Sequence, residues 1–244
     1  MKEKVRYYES FTDDFEVSKN QNFTLSADYK WVRKDAFSRI LSAVVYTLAL
    51  IFSSVYCYLF LHMKVRGREK FKRVKGGFFI YGNHTQPIGD VFIPALAVFP
   101  KRIYTVVSPA NYGIPIIGKI LPYLGALPTD GTLRGIRELK NAIEYRINNG
   151  NAIVIYPEAH VWEYYTKIRP FPETSFAFPM KLDCPAFAMT VTYKKSKFFK
   201  KPLMEVCIDG PFYGEKSKLH SEVFSAMQKR SKQSDFDYIE YRKK

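Results

Sequence analysis

The chain is poor in cysteine and short of acid, and it lacks several signatures that would place it at once. Its three cysteines, Cys57, Cys184 and Cys207, are widely spaced, odd in number and set in apolar stretches. No CxxC and no His/Cys spacing accompanies them, so neither a disulfide framework nor a metal cofactor is implied, and a reduced, cytosol-facing domain is expected. No repeat period is visible. No Gly-x-Ser-x-Gly elbow supplies a nucleophilic serine. Carboxylates number 23 against 38 Lys and Arg, a formal charge of +15. That excess calls for an anionic partner, either nucleic acid or a membrane surface carrying acidic lipids. With 47% hydrophobic and 16% aromatic residues the composition excludes disorder, and 244 residues suffice for one substantial core.

One apolar run decides between these partners. Ile40 to Leu61 gives 22 residues without Lys, Arg, Asp, Glu or His. As a helix it would be roughly 33 Å long, a match to the bilayer core. The 39-residue tail of mixed charge before it, with Asp13, Asp14 and Glu16, and the lack of a small-residue cleavage site argue against a signal peptide. Lys64, Arg66, Arg68, Lys70, Lys72, Arg73 and Lys75 follow the run, against Lys30, Arg33, Lys34 and Arg39 before it. That bias puts the large C-terminal part on the cytoplasmic side, either of a spanning helix or of a monotopic hairpin lying on acidic headgroups. No nucleic-acid motif appears, so nucleic acid is not the expected partner. The organisation expected is a surface or interfacial tail over residues 1–39, a membrane anchor over 40–63 and a folded domain over 64–244.

Beyond the anchor, strands and helices alternate. β-favouring runs occur at 78–81, 103–107, 152–156, 186–192 and 203–208, the last two led by Pro185 and Pro202. A helix is expected from Thr129 or Asp130 as N-cap to Gly150 as C-cap, with Leu133, Ile136, Leu139, Ala142 and Ile143 on one face, and another from about Ser217 to Arg230. The pattern implies an α/β fold with a mixed, largely parallel sheet flanked by helices, whose site gathers at the carboxyl ends of strands. His84 and Glu158 fall at such ends.

The stretch YGNHTQPIGDVFIP places His84 just after a strand and Asp90 six positions on. A loop that folds Asp90 back onto His84 would fix the imidazole tautomer and leave its other nitrogen to take a proton. Without a nucleophile of its own, such a pair suits general-base activation of a substrate hydroxyl. The plainer alternative is a polar turn in which Asn83 or Asp90 caps the next helix.

The order NHTQPIGD, GKILPYLGALPTD, YPEA and CPAFAMT, behind a hydrophobic anchor and a basic connector, resembles the glycerolipid acyltransferases of the 1-acyl-glycerol-3-phosphate acyltransferase family over roughly residues 38–230. The resemblance implies a glycerol-3-phosphate acyltransferase-like fold, His84 as base, Asp90 as its orienter, and Glu158 within the acceptor site. It implies an acyl donor such as acyl-CoA, acyl-carrier protein or an acyl-phosphate, and a lysophospholipid acceptor. Three features depart from the family pattern. His84 and Asp90 are separated by five residues instead of four, Ala159 and His160 follow Glu158 where Gly-Thr-Arg is usual, and Gly131 stands where an arginine is common.

A phosphate clamp would then have to come from other cations, with Arg134, Arg137, Lys167 and Arg169 as candidates and Asn83 and His160 as further polar contacts. VWEYYTKIRPFP, from Val161 to Pro172, suits an interfacial loop or a lid over an acyl chain. The reading is a membrane-bound O-acyltransferase forming a diacyl lipid such as phosphatidic acid. A non-catalytic basic lipid-binding module, and a lipid esterase using the same His/Asp pair on water, are the alternatives.

Overall fold

Five consecutive buried residues, Phe78–Gly82, form the strand β3 around which the rest is assembled, in a computed structural model that describes residues 4–16 and 23–244. Its side chains alternate between two cores. Phe78 and Ile80 point into one, Phe79 and Tyr81 into the other, as a two-residue period requires of a strand covered on both faces. Parallel partners lie on both sides, β6 (Ala152–Ile155) and β7 (Ala186–Lys194). The remaining strands of this sheet are β2 (Lys64–Arg66), β4 (Ile103–Val107), β5 (Ala126–Pro128) and β8 (Leu203–Phe212).

The seven strands run in the order β2-β8-β7-β3-β6-β4-β5, and the β7/β8 pair is the antiparallel one. The mixed, largely parallel sheet expected from the sequence is therefore present. Five parallel strands end at one edge. β1 (Lys4–Tyr8) pairs in parallel with the C-terminal β9 (Ile239–Lys243) in a separate two-stranded sheet.

Helices cover both faces. α2 (Gly89–Val98) and the end of α1 (Ala36–Val55) close the core that contains Phe78 and Ile80, whereas α4 (Leu133–Asn148) and α6 (Lys216–Ser231) close the other. α3 (Ile117–Leu124) packs on α1, and α5 (Ala177–Lys181) is a single short turn before β7. The apolar run begins earlier than its first uncharged residue suggests. Asp35 accepts the Ser38 amide as N-cap, so Arg39 sits inside the helix, and a π-helical segment, Tyr56–Phe60, continues it. The cap of α4 likewise moves from the expected Thr129 or Asp130 to Thr132, whose hydroxyl accepts from Gly135, while Asp130 accepts from Thr132 itself.

Two differences from expectation matter for the site. α1 and its continuation, Ala36–Phe60, are long and apolar enough to cross a membrane, yet the helix docks one side on α2 and α3. Its other side, Phe37, Ile40, Val44, Leu48, Ile51, Val55 and Leu59, is an exposed stripe at helical spacing. The N-terminal segment is also more than a surface tail. Tyr8, Phe11 and Phe15 pack on the buried ring of Trp162, and Trp31 is buried and donates to the Pro128 carbonyl.

The fully buried Phe78 stacks on Phe71, with ring centroids 5.1 Å apart, and meets Phe187 edge-on at 5.1 Å. Phe78→Ala should lower the unfolding free energy by about 3–5 kcal/mol, read as a fall in the urea midpoint at unchanged slope.

Candidate active site

β3 ends at Gly82 and the chain turns before α2, which brings the head of that helix back over the turn. Asp90, in the first turn of α2, is buried, and its Oδ2 takes the Nδ1 of His84 at 2.8 Å. The same oxygen accepts the amides of Thr85 and Gln86, each at 2.8 Å. Three donors thus converge on one oxygen at the head of a helix. A carboxylate on Nδ1 fixes the proton there and leaves the lone pair on Nε2, bonded to no described residue, in a side chain that is 20% exposed.

The ring is held from a second side. Tyr156, at the end of β6, stacks on His84 with centroids 4.4 Å apart, and its hydroxyl donates to the Asp90 carbonyl at 2.6 Å. Gly82 permits that approach, because a Cβ there would lie 2.6 Å from the Tyr156 ring. Burial pushes the Tyr156 phenol well up, so it remains a neutral donor. Below the turn, Tyr193 on β7 takes Thr85 Oγ1 at 2.8 Å and Gln86 Nε2 at 2.9 Å.

Glu158 supports the turn from the loop after β6. Its buried carboxylate accepts the His84 amide at 3.1 Å, the Arg169 amide at 2.9 Å and the Arg169 guanidinium at 3.0 Å. Burial pushes the Glu158 carboxyl up, against the pull of Arg169 and the two amides. Arg169 is itself buried, donates to the carbonyls of His160 and Phe11, and lies over Trp162 at 4.8 Å. Trp162 and Tyr164 donate their amides to the carbonyls of His84 and Thr85, at 3.0 and 2.9 Å.

The Acyltransferase family model matches residues 62–192, more than half of the chain, and spans His84, Asp90, Tyr156, Glu158 and Arg169. The chain belongs to the Acyltransferase family. Its enzyme class is therefore the O-acyltransferase class that the order of its motifs implied. No curated protein matches the sequence. Among solved structures, the 1-acyl-sn-glycerophosphate (LPA) acyltransferase PlsC from Thermotoga maritima superposes with a TM-score of 0.60 at 17% identity, over 83% of this chain and 84% of that one. At that identity the likeness speaks for the fold.

Within this acyltransferase the residues singled out from the sequence separate into groups. His84 and Asp90 meet across the five residues between them. Asn83 is buried in the sheet. Its amide side chain bonds both the carbonyl and the N–H of Val191, at 3.0 and 2.8 Å, and extends the β3/β7 pairing by one residue. Glu158 and Arg169 are both buried and pair with each other. His160 lies 3.4 Å from Asp14 of the N-terminal segment.

Arg134, Arg137 and Lys167 are exposed, with Arg134 in the first turn of α4 beyond β5 and so on the same sheet edge as His84. The amides of His84, Thr85 and Gln86, candidates for an oxyanion hole, are all committed to Glu158 and Asp90. Tyr156, Tyr193, Thr85 and Gln86 escaped the sequence reading. Tyr156 reads there as the last residue of a strand, and no local signal marks Tyr193.

Asp90→Asn should cut kcat by at least about a hundredfold with little change in KM, since the geometry survives while the tautomer is lost. Glu158→Ala should cost about 3–5 kcal/mol by stranding the Arg169 charge, and Glu158→Ala combined with Arg169→Met should recover part of that loss in denaturant titrations.

Proposed function

We propose that this enzyme moves a fatty acyl group from an acyl thioester or acyl-phosphate to a hydroxyl of a lysophospholipid such as 1-acyl-sn-glycerol-3-phosphate, forming phosphatidic acid. The observation that carries the reading is the Asp90-oriented imidazole, partly exposed, whose second nitrogen bonds no described residue and which has no protein nucleophile beside it among the described residues. Nε2 takes the acceptor proton as the hydroxyl oxygen attacks the acyl carbonyl. The resulting imidazolium is stabilised by Asp90 and returns the proton to the leaving thiolate or phosphate as the tetrahedral intermediate collapses. Deacylation to water would use the same base, and product analysis distinguishes it.

A lipid acceptor is supported by what surrounds this edge. Ile88, Ile116, Ile117 and Leu133 are exposed on the loops and helix starts that follow the parallel strands. The apolar stripe of α1 ends beside the same edge, where Leu61 contacts Gly89 and Phe52 packs on Phe92. Phe198 and Phe199 stand exposed at the β7/β8 turn among Lys194, Lys195, Lys197, Lys200 and Lys201, with Phe199 stacked on His62 at 3.7 Å.

Aromatic rings between lysines suit insertion at a bilayer interface, each cation adding about 1 kcal/mol on acidic lipids. The enzyme would lie on one leaflet with α1 in its plane, because a helix docked along its length on α2 and α3 presents one apolar face to lipid. The basic segment 64–75 supports the cytoplasmic leaflet for this surface. With Arg169 buried against Glu158, Arg134 is the cation proposed to meet the acceptor phosphate, assisted by the positive end of α4.

Purified protein supplied with labelled acyl-CoA and 1-acyl-sn-glycerol-3-phosphate should form phosphatidic acid, and His84→Ala should abolish this while keeping the wild-type circular dichroism. Release of free fatty acid in place of a diacyl product, or no transfer from thioester, acyl-carrier-protein and acyl-phosphate donors alike, would sink the reading. Arg134→Gln should raise KM for the phosphorylated acceptor about tenfold with kcat nearly unchanged.

A further inference from the structure

A second set of cations stands at the opposite edge of the sheet. Arg102 directly precedes β4, and Arg146 lies in the last turn of α4 shortly before β6, whereas His84 follows the carboxyl end of β3. These three strands are parallel, so the two arginines occupy the amino-terminal edge, a sheet's length from the catalytic base. Both guanidinium groups share the ring of Tyr104, at 4.1 Å for Arg146 and 5.4 Å for Arg102. Arg102 also donates to the Ser42 hydroxyl at 2.6 Å and the Tyr123 carbonyl at 2.8 Å. Arg33 and Arg39, on either side of the start of α1, complete the wall of a cavity of about 170 Å³. A wider groove beside it adds Lys34.

Among the described residues no carboxylate neutralises this set. No carboxylate lines the cavity, and among the described residues none of the four arginines forms an ion pair. The Nε atoms of Arg102 and Arg146 are buried without a hydrogen-bond partner. Burial pushes the Arg146 guanidinium down, and Arg102 adds to that push. Like charges gathered in a part-desolvated cavity repel, and guanidinium forks match the oxygens of a phosphate. Arg39 and Ser42 belong to the first turns of α1, whose outward residues Phe37, Ile40 and Val44 are exposed and apolar. A phosphate in the cavity would therefore have acyl-compatible surface beside it.

We propose that Arg33, Arg39, Arg102 and Arg146 form a second phosphate site, separate from the catalytic one, that holds the headgroup phosphate of an anionic phospholipid. It anchors the start of α1 at the headgroup level while the end of α1 reaches the catalytic edge.

The test is calorimetric titration of the full chain, carrying His84→Ala so that no turnover intervenes, with dihexanoyl phosphatidic acid, inorganic phosphate and phosphate-free dihexanoylglycerol. Arg102→Gln with Arg146→Gln should weaken the binding of phosphatidic acid at least tenfold. Arg33→Gln with Arg39→Gln should do the same from more accessible positions, which guards against a folding defect in the first pair. Dihexanoylglycerol should not compete. Phosphatidic acid bound at least tenfold more tightly than inorganic phosphate makes the lipid headgroup the occupant, whereas equal affinities assign the site to free phosphate and overturn the lipid assignment. Binding that is unchanged in both pairs, or that is lost with Arg134→Gln alone, overturns the site itself.

Discussion

A single buried oxygen, Asp90 Oδ2, organises the catalytic edge. It takes the His84 ring and the amides of Thr85 and Gln86 at once, so the turn cannot change shape without losing three hydrogen bonds to one carboxylate. Charge-assisted bonds of this kind are the stronger class, and in a dry site the loss of one leaves a buried charge under-solvated. The imidazole is thus preorganised by the backbone of its own turn. Tyr156 closes the arrangement by stacking on the ring and bonding the Asp90 carbonyl, an approach that depends on the missing Cβ of Gly82.

Behind the turn lies a second buried anchor, the Glu158–Arg169 pair. Its role is architectural: Glu158 holds the His84 amide, and Arg169 reaches the carbonyls of His160 and Phe11. A buried pair is weak evidence for net stability, because desolvation offsets the Coulombic gain. What it contributes here is position, since it ties the loop after β6, the catalytic turn and the N-terminal segment together. The aromatic cluster around Trp162, with Tyr8, Phe15 and Tyr241, seals that junction and joins the β1/β9 ribbon to it.

The arrangement of α1 links chemistry to the proposed membrane surface. One end contributes Ser42 to the arginine cavity and the other packs beside the head of α2, so a single helix runs from the amino-terminal to the carboxyl edge of the sheet. Its length of 25 residues with the π-helical segment, about 37 Å, is set against the domain and not away from it. An apolar stripe in that position and the Phe198/Phe199 turn are the exposed apolar surfaces on which the proposed lipid contact rests.

Much of this was legible in the residue order. Runs of β-branched and aromatic residues bounded by Gly and Pro marked β3, β4, β6, β7 and β8 because strand propensity and turn chemistry are local. The apolar run and the +15 charge marked a lipid-compatible chain, and the ordered blocks marked the acyltransferase class. The fates of Glu158, Arg169 and Asn83 were not legible. Each is a polar residue near a motif, and sequence does not reveal whether a polar group meets a substrate or a buried partner. The second arginine set was equally hidden, since Arg33, Arg39, Arg102 and Arg146 come from a loop, a helix start, a strand entry and a helix end. Local composition and periodicity determined the elements and the kind of chemistry. Only the tertiary structure decided which charges cancel and which stay free, because that depends on contacts between residues far apart in the chain.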